Sequence, residues 1–177
     1  MKLLLIVDVQ NDFCPGGALA VPNGDEVIPV INELQSEFDL IAASKDWHPE
    51  NSTHFDNWPP HCVKDTKGAE FHPDLQTDKI DQVFLKGIKK DEDGYSVFDA
   101  GNLDFEKYLK DKGVEEIYVT GLATEHCVKA SALIAAAKGL KTYVIKKAVS
   151  GIDETEIKEA WQEMKEKGIN IISKEDI

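Results

Sequence analysis

The sequence has few cysteines and no long apolar run. Its three cysteines, at positions 14, 62 and 127, are an odd number and do not make a disulfide framework. No apolar stretch approaches the roughly 20 residues that a helix needs to cross a bilayer. The opening MKLLLIVDVQ is too short for a signal peptide, and no small-residue cleavage site follows it. We therefore expect a cytoplasmic protein with reduced thiols and no membrane partner.

Basic residues are scarce compared with acidic ones. The chain has 20 lysines and arginines against 33 aspartates and glutamates, a formal net charge of -13 at pH 7. Such a charge argues against nucleic acid or an anionic membrane as a partner. The acidic residues are spread along the chain, which is typical of a solvated surface and not of a binding tail. The sequence leaves open whether copies of the chain form a homo-oligomer.

No repeat, low-complexity tract or linker divides the chain, so we expect one domain over residues 1–177. Apolar, β-branched runs predict six strands, at 2–7, 39–44, 82–86, 117–120, 141–145 and 170–172. Helical spacing predicts helices between them, at 25–38, 102–112, 125–137 and 153–167. Asn102, Thr124 and Asp153 are the predicted N-caps, and Glu156 stands in capping-box position to Asp153. This alternation predicts an α/β fold, a doubly wound three-layer α/β/α sandwich around a mostly parallel six-stranded sheet.

Chemically useful side chains follow the ends of four predicted strands. Asp8 ends the first strand, Asp46 and His48 follow the second, Lys86 ends the third, and Cys127 follows the fourth. In an open parallel sheet, ligands bind beyond the carboxyl ends of the strands, so these residues should meet at one edge. Taken singly, Asp8 also fits a turn carboxylate and Lys86 a surface cation. Their coincidence favours an active site.

Cys127 lies in the first turn of a predicted helix that leaves the end of a strand. Free backbone N–H groups and the positive end of the helix dipole favour a thiolate there, which can act as a nucleophile. Nearby amides can hold an oxyanion. Asp8 would serve as the general base, and Lys86 would stabilise negative charge. The alternative is that Cys127 is a small buried core residue.

Four of the five histidines, at positions 48, 54, 61 and 72, lie in the long irregular segment after the second strand. In an extended segment Asp46 and His48 project to the same side. Completed by His61 or His54, they would bind zinc, iron or manganese with open positions for water or substrate. The alternative is a loop of surface histidines. His72, at the far end beside a proline, is left out of the predicted ligand set.

Two further groups of residues complete the predictions for this region. Cys14 and Cys62 are interpreted as packed side chains and not as ligands. Phe13, Trp47 and Trp58 are candidates for the walls of an aromatic substrate pocket, with ordinary packing as the alternative for Trp47.

Five motifs carry a resemblance to a known family. They are DVQNDFCPGGALAV from residue 8, DWHP from 46, WPPHCV from 58, FLKG from 84 and GLATEHCV from 121. In order and spacing they resemble the nicotinamidase/pyrazinamidase branch of the isochorismatase-like cysteine hydrolases, over nearly the whole chain. The resemblance implies the isochorismatase-like hydrolase fold. It also implies hydrolysis of nicotinamide to nicotinate and ammonia in NAD salvage, and of pyrazinamide to pyrazinoate.

The resemblance also implies roles for individual residues. The implied catalytic triad is Asp8, Lys86 and Cys127. The implied ligands of one divalent metal ion per chain, zinc in the first place, are Asp46, His48 and His61, with His54 matching a histidine that only some members use. The implied oxyanion donors are the N–H groups of Ala123 and Cys127, with a cis peptide between Leu122 and Ala123. The implied substrate-binding residues are Phe13, Trp58, Leu122 and Tyr95, although the charged insert KKDED before Tyr95 departs from the family pattern.

Two alternatives stay open on the sequence. The first is a related cysteine amidase acting on another small carboxamide, such as a carbamoyl or ureido compound; the metal loop argues against it. The second is a non-catalytic metal- or nucleotide-binding protein on a doubly wound sheet. Against this reading, no G-x-G-x-x-G motif follows the first strand.

Overall fold

Six parallel strands form a single sheet in the computed structural model, which describes all residues, 1–177. The strands are β1 (Lys2–Val7), β2 (Leu40–Asp46), β3 (Gln82–Lys86), β4 (Glu116–Leu122), β5 (Lys141–Ser150) and β6 (Asn170–Ile172). Their order across the sheet is β3-β2-β1-β4-β5-β6, and every neighbouring pair is parallel. The sheet is thus parallel throughout, and the predicted α/β class is confirmed.

Helices cover both faces of this sheet. They are α1 (Val27–Leu34), α2 (Phe105–Asp111), α3 (Lys129–Ala137) and α4 (Glu154–Glu166). The central strand β1 alternates between two hydrophobic cores: Leu3 and Leu5 pack with α2, α3 and α4, whereas Leu4 and Ile6 pack with α1. This division produces the three layers, because side chains of successive strand residues point to opposite faces. None of the helices combines the length and the apolar character that a bilayer crossing requires.

Asn102 does not cap helix α2. The N-cap is Asp104, whose side chain accepts a hydrogen bond from the backbone N–H of Lys107 at 2.9 Å. Asn102 instead lies along the outer edge of β3, where its side chain accepts from the N–H of Leu85 at 2.8 Å and donates to the carbonyl of Val83 at 3.1 Å. Its amide has both a donor and an acceptor, so it satisfies two backbone groups of an edge strand that has no further neighbour.

The turn that follows β4 also differs from the prediction. Residues Thr124–Val128 form a π-helical turn before α3, with Ala123 as N-cap and no capping bond from the Thr124 side chain. The wider turn is seen in the bond from the N–H of Val128 to the carbonyl of Ala123, five residues back. Single π-helical turns are rare in proteins, and those that occur often lie at functional sites.

The predicted N-cap of α4 is confirmed. The Asp153 carboxylate accepts from the N–H groups of Thr155 and Glu156 at 2.8 and 2.9 Å. The Glu156 side chain does not complete a capping box and lies 4.0 Å from His126 Nε2.

Candidate active site

The carboxyl ends of β1 to β4 meet at one edge of the sheet. Asp46 and Lys86 are register partners at the ends of β2 and β3. Asp8 follows β1, and its N–H donates to the carbonyl of Ser44 on β2 at 3.1 Å. The π-helical turn that follows β4 carries Cys127. One side chain from the end of each of the four strands, Asp8, Asp46, Lys86 and Cys127, therefore lies at this edge, as the parallel sheet requires.

The Lys86 ammonium lies at the centre of this group. Its Nζ is 2.8 Å from Asp8 Oδ2, 2.7 Å from Asp46 Oδ1 and 3.5 Å from Cys127 Sγ, and it donates to the carbonyl of Gly94 at 2.7 Å. Burial alone would lower the pKa of Lys86, but the two carboxylates outweigh burial and hold the pKa well above its ordinary value. Lys86 is therefore a fixed positive charge that neutralises buried negative charge.

The pKa values of the two carboxylates that share Lys86 are shifted in opposite directions. Burial raises the pKa of Asp8 in spite of the opposing Lys86 charge. Burial acts in the same way on Asp46, but Lys86 and the imidazoles of His48 and His61 hold the pKa of Asp46 well below its usual range. Of the two, Asp8 is the carboxylate that more readily takes up a proton, whereas Asp46 stays ionised.

Asp8 has one oxygen available for that proton. Its Oδ1 accepts a hydrogen bond from Ser44 Oγ at 2.7 Å, whereas Oδ2 is buried, forms the ion pair with Lys86 and receives no aligned hydrogen bond. An oxygen of Asp8 lies within 4.8 Å of Cys127 Sγ. Asp8 is thus placed to accept the thiol proton over a short distance.

Burial raises the pKa of the Cys127 thiol well above its ordinary value, against the lowering influence of Lys86 and with a further increase from Asp8 and Asp46. The resting form is therefore the thiol, and not the thiolate that the helix terminus alone would favour. A neutral cysteine beside a carboxylate acts as a nucleophile by passing its proton to that carboxylate as it attacks.

Three imidazoles stand next to this group. The ring nitrogens Nε2 of His48 and His61 lie 3.5 and 3.8 Å from Asp46 Oδ2. His54 joins them, because one ring nitrogen from each of the three histidines lies within 4.8 Å of the others. His72 is elsewhere, where its Nδ1 accepts the N–H of Asp74 at 3.2 Å.

The environment of these rings fits a metal ion. Both nitrogens of His48 are buried without any hydrogen-bond partner, which is a costly arrangement unless something else binds them. The Nδ1 atoms of His54 and His61 contact Asp93 Oδ1 and the carbonyl of Pro59, each at 2.7 Å. The Nε2 atom of each ring is therefore the nitrogen whose lone pair is available to a metal ion. Three imidazoles and a carboxylate make a donor set suited to zinc, iron or manganese.

A cavity of about 410 Å³, its open mouth included, connects the cysteine with the imidazoles. It is lined by Phe13, Leu19, Val21, Asp46, His54, Trp58, His61, Asp93, Tyr95, Ala123, His126, Cys127 and Ile152. Trp58 Nε1 donates to the Tyr95 hydroxyl at 2.9 Å, which joins two aromatic walls. The side chains of Leu122 and Trp47 do not line this cavity; Leu122 is 1% exposed and belongs to the core that includes α1.

The backbone before Cys127 faces the same cavity. The peptide between Leu122 and Ala123 is cis, as the resemblance implied. The N–H of Ala123 donates to no group of the protein, and Ala123 lines the cavity beside Cys127. A free backbone N–H next to a nucleophile is suited to stabilising an oxyanion.

The motifs do not assign five lining residues a place in the pocket: Leu19, Val21, Asp93, His126 and Ile152. His126 makes no hydrogen bond to the thiol, whose partner is Lys86 Nζ. Its ring meets Trp58 edge to face at 5.2 Å between centroids and lies 6.5 Å from the Tyr95 ring. The sequence signal for His126 is its position beside Cys127 in the GLATEHCV motif, which indicates that it lies near the thiol but does not indicate a role.

The sequence motifs give no role to Glu125 either. Its carboxylate is buried in the π-helical turn that carries Cys127, and its Oε1 accepts from the N–H groups of Ile152 and Asp153 at 2.6 and 3.0 Å. It thus ties the turn that carries Cys127 to the start of α4 and to a residue of the cavity wall.

We expect Glu125→Ala to lower the free energy of unfolding by about 1–3 kcal/mol, because two N–H groups in this partly buried region lose their acceptor. The measurement is urea denaturation. The control is Glu156→Ala, which removes the same charge from a side chain that is 60% exposed. Equal stability of the two variants would show that Glu125 does not hold the turn.

The fold and the cavity describe an α/β enzyme with a buried cysteine at the carboxyl edge of its sheet. The chain belongs to the isochorismatase family, since the family described as Isochorismatase domain matches residues 2–176.

Three relatives illustrate the similarity. A nicotinamidase of Acinetobacter baylyi is 39% identical, over 98% of this chain and 93% of its own length. The structure of a pyrazinamidase of Pyrococcus horikoshii in complex with zinc has a TM-score of 0.89 and 43% identity, over 97% of this chain and 98% of that chain. The structure of the yeast nicotinamidase bound to the inhibitor nicotinaldehyde has a TM-score of 0.91 and 30% identity, over 98% of this chain and 100% of that chain.

Proposed function

We propose that the protein is a metal-containing nicotinamidase. It hydrolyses nicotinamide to nicotinate and ammonia, and pyrazinamide to pyrazinoate, within NAD salvage. The observation that carries this proposal is the joint opening of Cys127 and of the imidazoles of His54 and His61 into one aromatic-walled cavity. The nicotinamidases and the pyrazinamidase among the relatives support it over nearly the full length of the chain.

Asp8, Lys86 and Cys127 would form the catalytic triad. In the first step the Cys127 thiol gives its proton to Asp8 while Sγ attacks the carboxamide carbon and forms the C–S bond. The intermediate carries its negative charge on the former carbonyl oxygen. Lys86 keeps its proton throughout, since two carboxylates hold its pKa well above its ordinary value. Its charge offsets the negative charge that builds up around the sulfur.

In the second step the C–N bond breaks. Asp8, now protonated, gives its proton to the leaving nitrogen, so that ammonia departs and a thioester with Cys127 remains. Asp8 is then a carboxylate again and accepts a proton from the attacking water. Hydrolysis of the C–S bond releases nicotinic acid and returns the proton to the thiol. The raised pKa of Asp8 suits a group that must carry a proton in both half-reactions.

The oxyanion would be held by the N–H groups of Ala123 and Cys127. The Ala123 N–H is free of other acceptors, and both residues line the cavity. Removal of one such donor typically costs about 100- to 1,000-fold in kcat, so the pair would be a main source of rate acceleration.

Asp46, His48, His54 and His61 would hold one divalent ion, zinc in the first place with iron and manganese as alternatives. When bound, the ion supplies a Lewis-acid contact for the ring nitrogen of the substrate and so fixes its orientation. Phe13, Trp58 and Tyr95 would pack against the ring.

We place the reaction in the cytoplasm, where the three unpaired cysteines would stay reduced. The substrate is a small molecule, in keeping with the nicotinaldehyde bound to the yeast relative.

The test compares nicotinamide with benzamide, which has nearly the same shape but no ring nitrogen. We expect the purified, zinc-loaded protein to release ammonia from nicotinamide with a kcat/KM at least about 100-fold higher, because a site built for a polar partner rejects the analogue that lacks it. Treatment with a chelator should remove most of this preference, and added zinc should restore it. Equal rates on the two amides would instead favour a general cysteine amidase, and no ammonia from either would contradict the enzyme assignment.

A further inference from the structure

Three consecutive residues each contact a different part of the candidate site. Asp93 Oδ1 lies 2.7 Å from His54 Nδ1, the carbonyl of Gly94 accepts from Lys86 Nζ at 2.7 Å, and the Tyr95 hydroxyl accepts from Trp58 Nε1 at 2.9 Å. The segment 93–95 therefore connects the imidazole cluster, the buried lysine and the aromatic wall. Asp93 is the last residue of the charged KKDED insert.

The contact to Asp93 determines which nitrogen His54 can offer to a metal. A neutral imidazole carries its proton on one nitrogen and a lone pair on the other. A carboxylate at Nδ1 stabilises the proton there and leaves the lone pair on Nε2. The His54 ring is 4% exposed, whereas the Asp93 side chain is 59% exposed, so a surface carboxylate reaches inward to a buried ring.

The three rings are supported in three different ways. His61 Nδ1 meets the carbonyl of Pro59, and His48 Nδ1 meets no partner. Only His54 has a carboxylate behind it. Asp46, by contrast, faces the cluster with Oδ2 while its Oδ1 is bound to Lys86. Asp93 is therefore the carboxylate that supports the cluster from outside.

Backbone contacts hold Asp93 in this position. The carbonyl of Lys90 accepts from both the N–H and the Oγ1 of Thr53, at 2.9 and 3.0 Å, which ties the loop of Asp93 to the turn of His54. Gly94 packs so closely on Gly87 that a Cβ atom on Gly94 would lie 2.4 Å from the Gly87 nitrogen. The loop thus reaches the ring along a fixed path.

We propose that Asp93 is a positioning residue that makes His54 a metal ligand, through the carboxylate–histidine contact at Nδ1. This inference rests on the metal site of the proposed function and adds to it a residue outside the ligand set. Outer carboxylates of this kind contribute about 10- to 100-fold to metal affinity. Because the Asp93 side chain is more than half exposed, we expect the low end of that range.

The test measures zinc affinity of the full chain without any substrate, by competition with a chromophoric chelator. We expect Asp93→Ala to bind zinc about tenfold more weakly than the wild type. Asp93→Asn should fall between them, because its amide oxygen still accepts from Nδ1 but carries no charge. The matched control is Asp91→Ala, which removes the same charge from an exposed position of the same loop and should stay within about twofold of wild type.

A double-mutant cycle with His54→Ala identifies the route of the effect. If Asp93 acts through His54, the double variant should bind zinc no more weakly than His54→Ala alone. Additive losses, or an Asp93→Ala affinity equal to that of Asp91→Ala, would overturn the proposal. Circular dichroism of the metal-free variants should superimpose on that of the wild type, since Asp93 contributes no core contact.

These outcomes are separate from those of the nicotinamidase assay. Zinc binding that depends on Asp93 in a protein that leaves nicotinamide intact would uphold this inference and refute the proposed function. Failure of the wild-type chain to bind zinc, together with ammonia release from nicotinamide, would refute this inference and the zinc site of the proposed function, but it would uphold the hydrolysis of nicotinamide.

Discussion

Replacing Cys127 by alanine is expected to lower kcat for ammonia release from nicotinamide by roughly five to six orders of magnitude, the scale seen when a covalent nucleophile is removed from an enzyme. The reason is geometric. Of the three cysteines, Cys127 is the one that lines the cavity, and its Sγ is the one placed 3.5 Å from Lys86 Nζ. No second cysteine, no serine and no threonine lines the cavity and could replace it. The measurement is initial-rate ammonia release at saturating nicotinamide.

Cys14→Ala is the matched control for that experiment. Cys14 is also a buried, unpaired cysteine, and burial raises its pKa to about 11, but it packs in the core that includes α1. Its replacement should cost about 1 kcal/mol of stability and leave kcat within about twofold. A Cys127→Ala variant that keeps more than about a tenth of wild-type activity, a loss of only about 1.4 kcal/mol, would refute the nucleophile assignment.

Replacing Lys86 by methionine is expected to lower the free energy of unfolding by about 3–5 kcal/mol and to abolish turnover. Methionine keeps the length of the side chain, but the Asp8 and Asp46 carboxylates would both stay buried after losing their shared cation. Proton uptake by Asp8, whose pKa is already raised, should bring the loss toward the lower value. Urea denaturation of the metal-free protein measures the stability, and ammonia release measures the activity.

Asp8→Asn separates these two effects. This variant keeps the Lys86–Asp46 ion pair at 2.7 Å and the shape of the side chain, so its stability should fall by less than that of Lys86→Met. Its turnover should nevertheless be lost to a similar extent. The remaining nearby carboxylate, Asp46, is a poor proton acceptor, because Lys86 and two imidazoles hold its pKa well below its usual range in spite of burial. If Lys86→Met proved as stable as the wild type, Lys86 would not be the charge that makes the two buried carboxylates tolerable.

The edge of the sheet where the site lies was predictable, because the point where an apolar run stops marks the end of a strand. The predicted strands 2–7 and 82–86 end where β1 and β3 end in the structure, at Val7 and Lys86. Once the strands are parallel, the residues at their carboxyl ends must share an edge, and Asp46 and Cys127 follow from the same reasoning. The predicted ends of β2 and β4 fall two residues short, because the charged Lys45 and the flexible Gly121 are typical of the beginning of a loop.

Contacts between loops could not be obtained in this way. Asp93 meets His54 across 39 positions, and Glu125 accepts from Ile152 across 27. Both contacts depend on how irregular segments fold back on the sheet, which leaves no periodic trace in the sequence. The burial of individual side chains is the second property that the sequence does not give. The sequence shows Cys127 near a helix terminus, which favours a thiolate, but not the enclosure that raises its pKa.

The position of β1 in the middle of the sheet affects how the chain is made. β1 is synthesised before every other strand, yet one of its two edges pairs with β4, where Lys2 is the register partner of Glu116. About 110 residues must therefore leave the ribosome before that edge is covered, which takes roughly 5–20 s at ordinary rates of synthesis. During that interval the most apolar strand of the protein is at best half paired. The nascent chain thus passes through a stage open to chaperones and to aggregation that the finished sheet, with β1 at its centre, no longer presents.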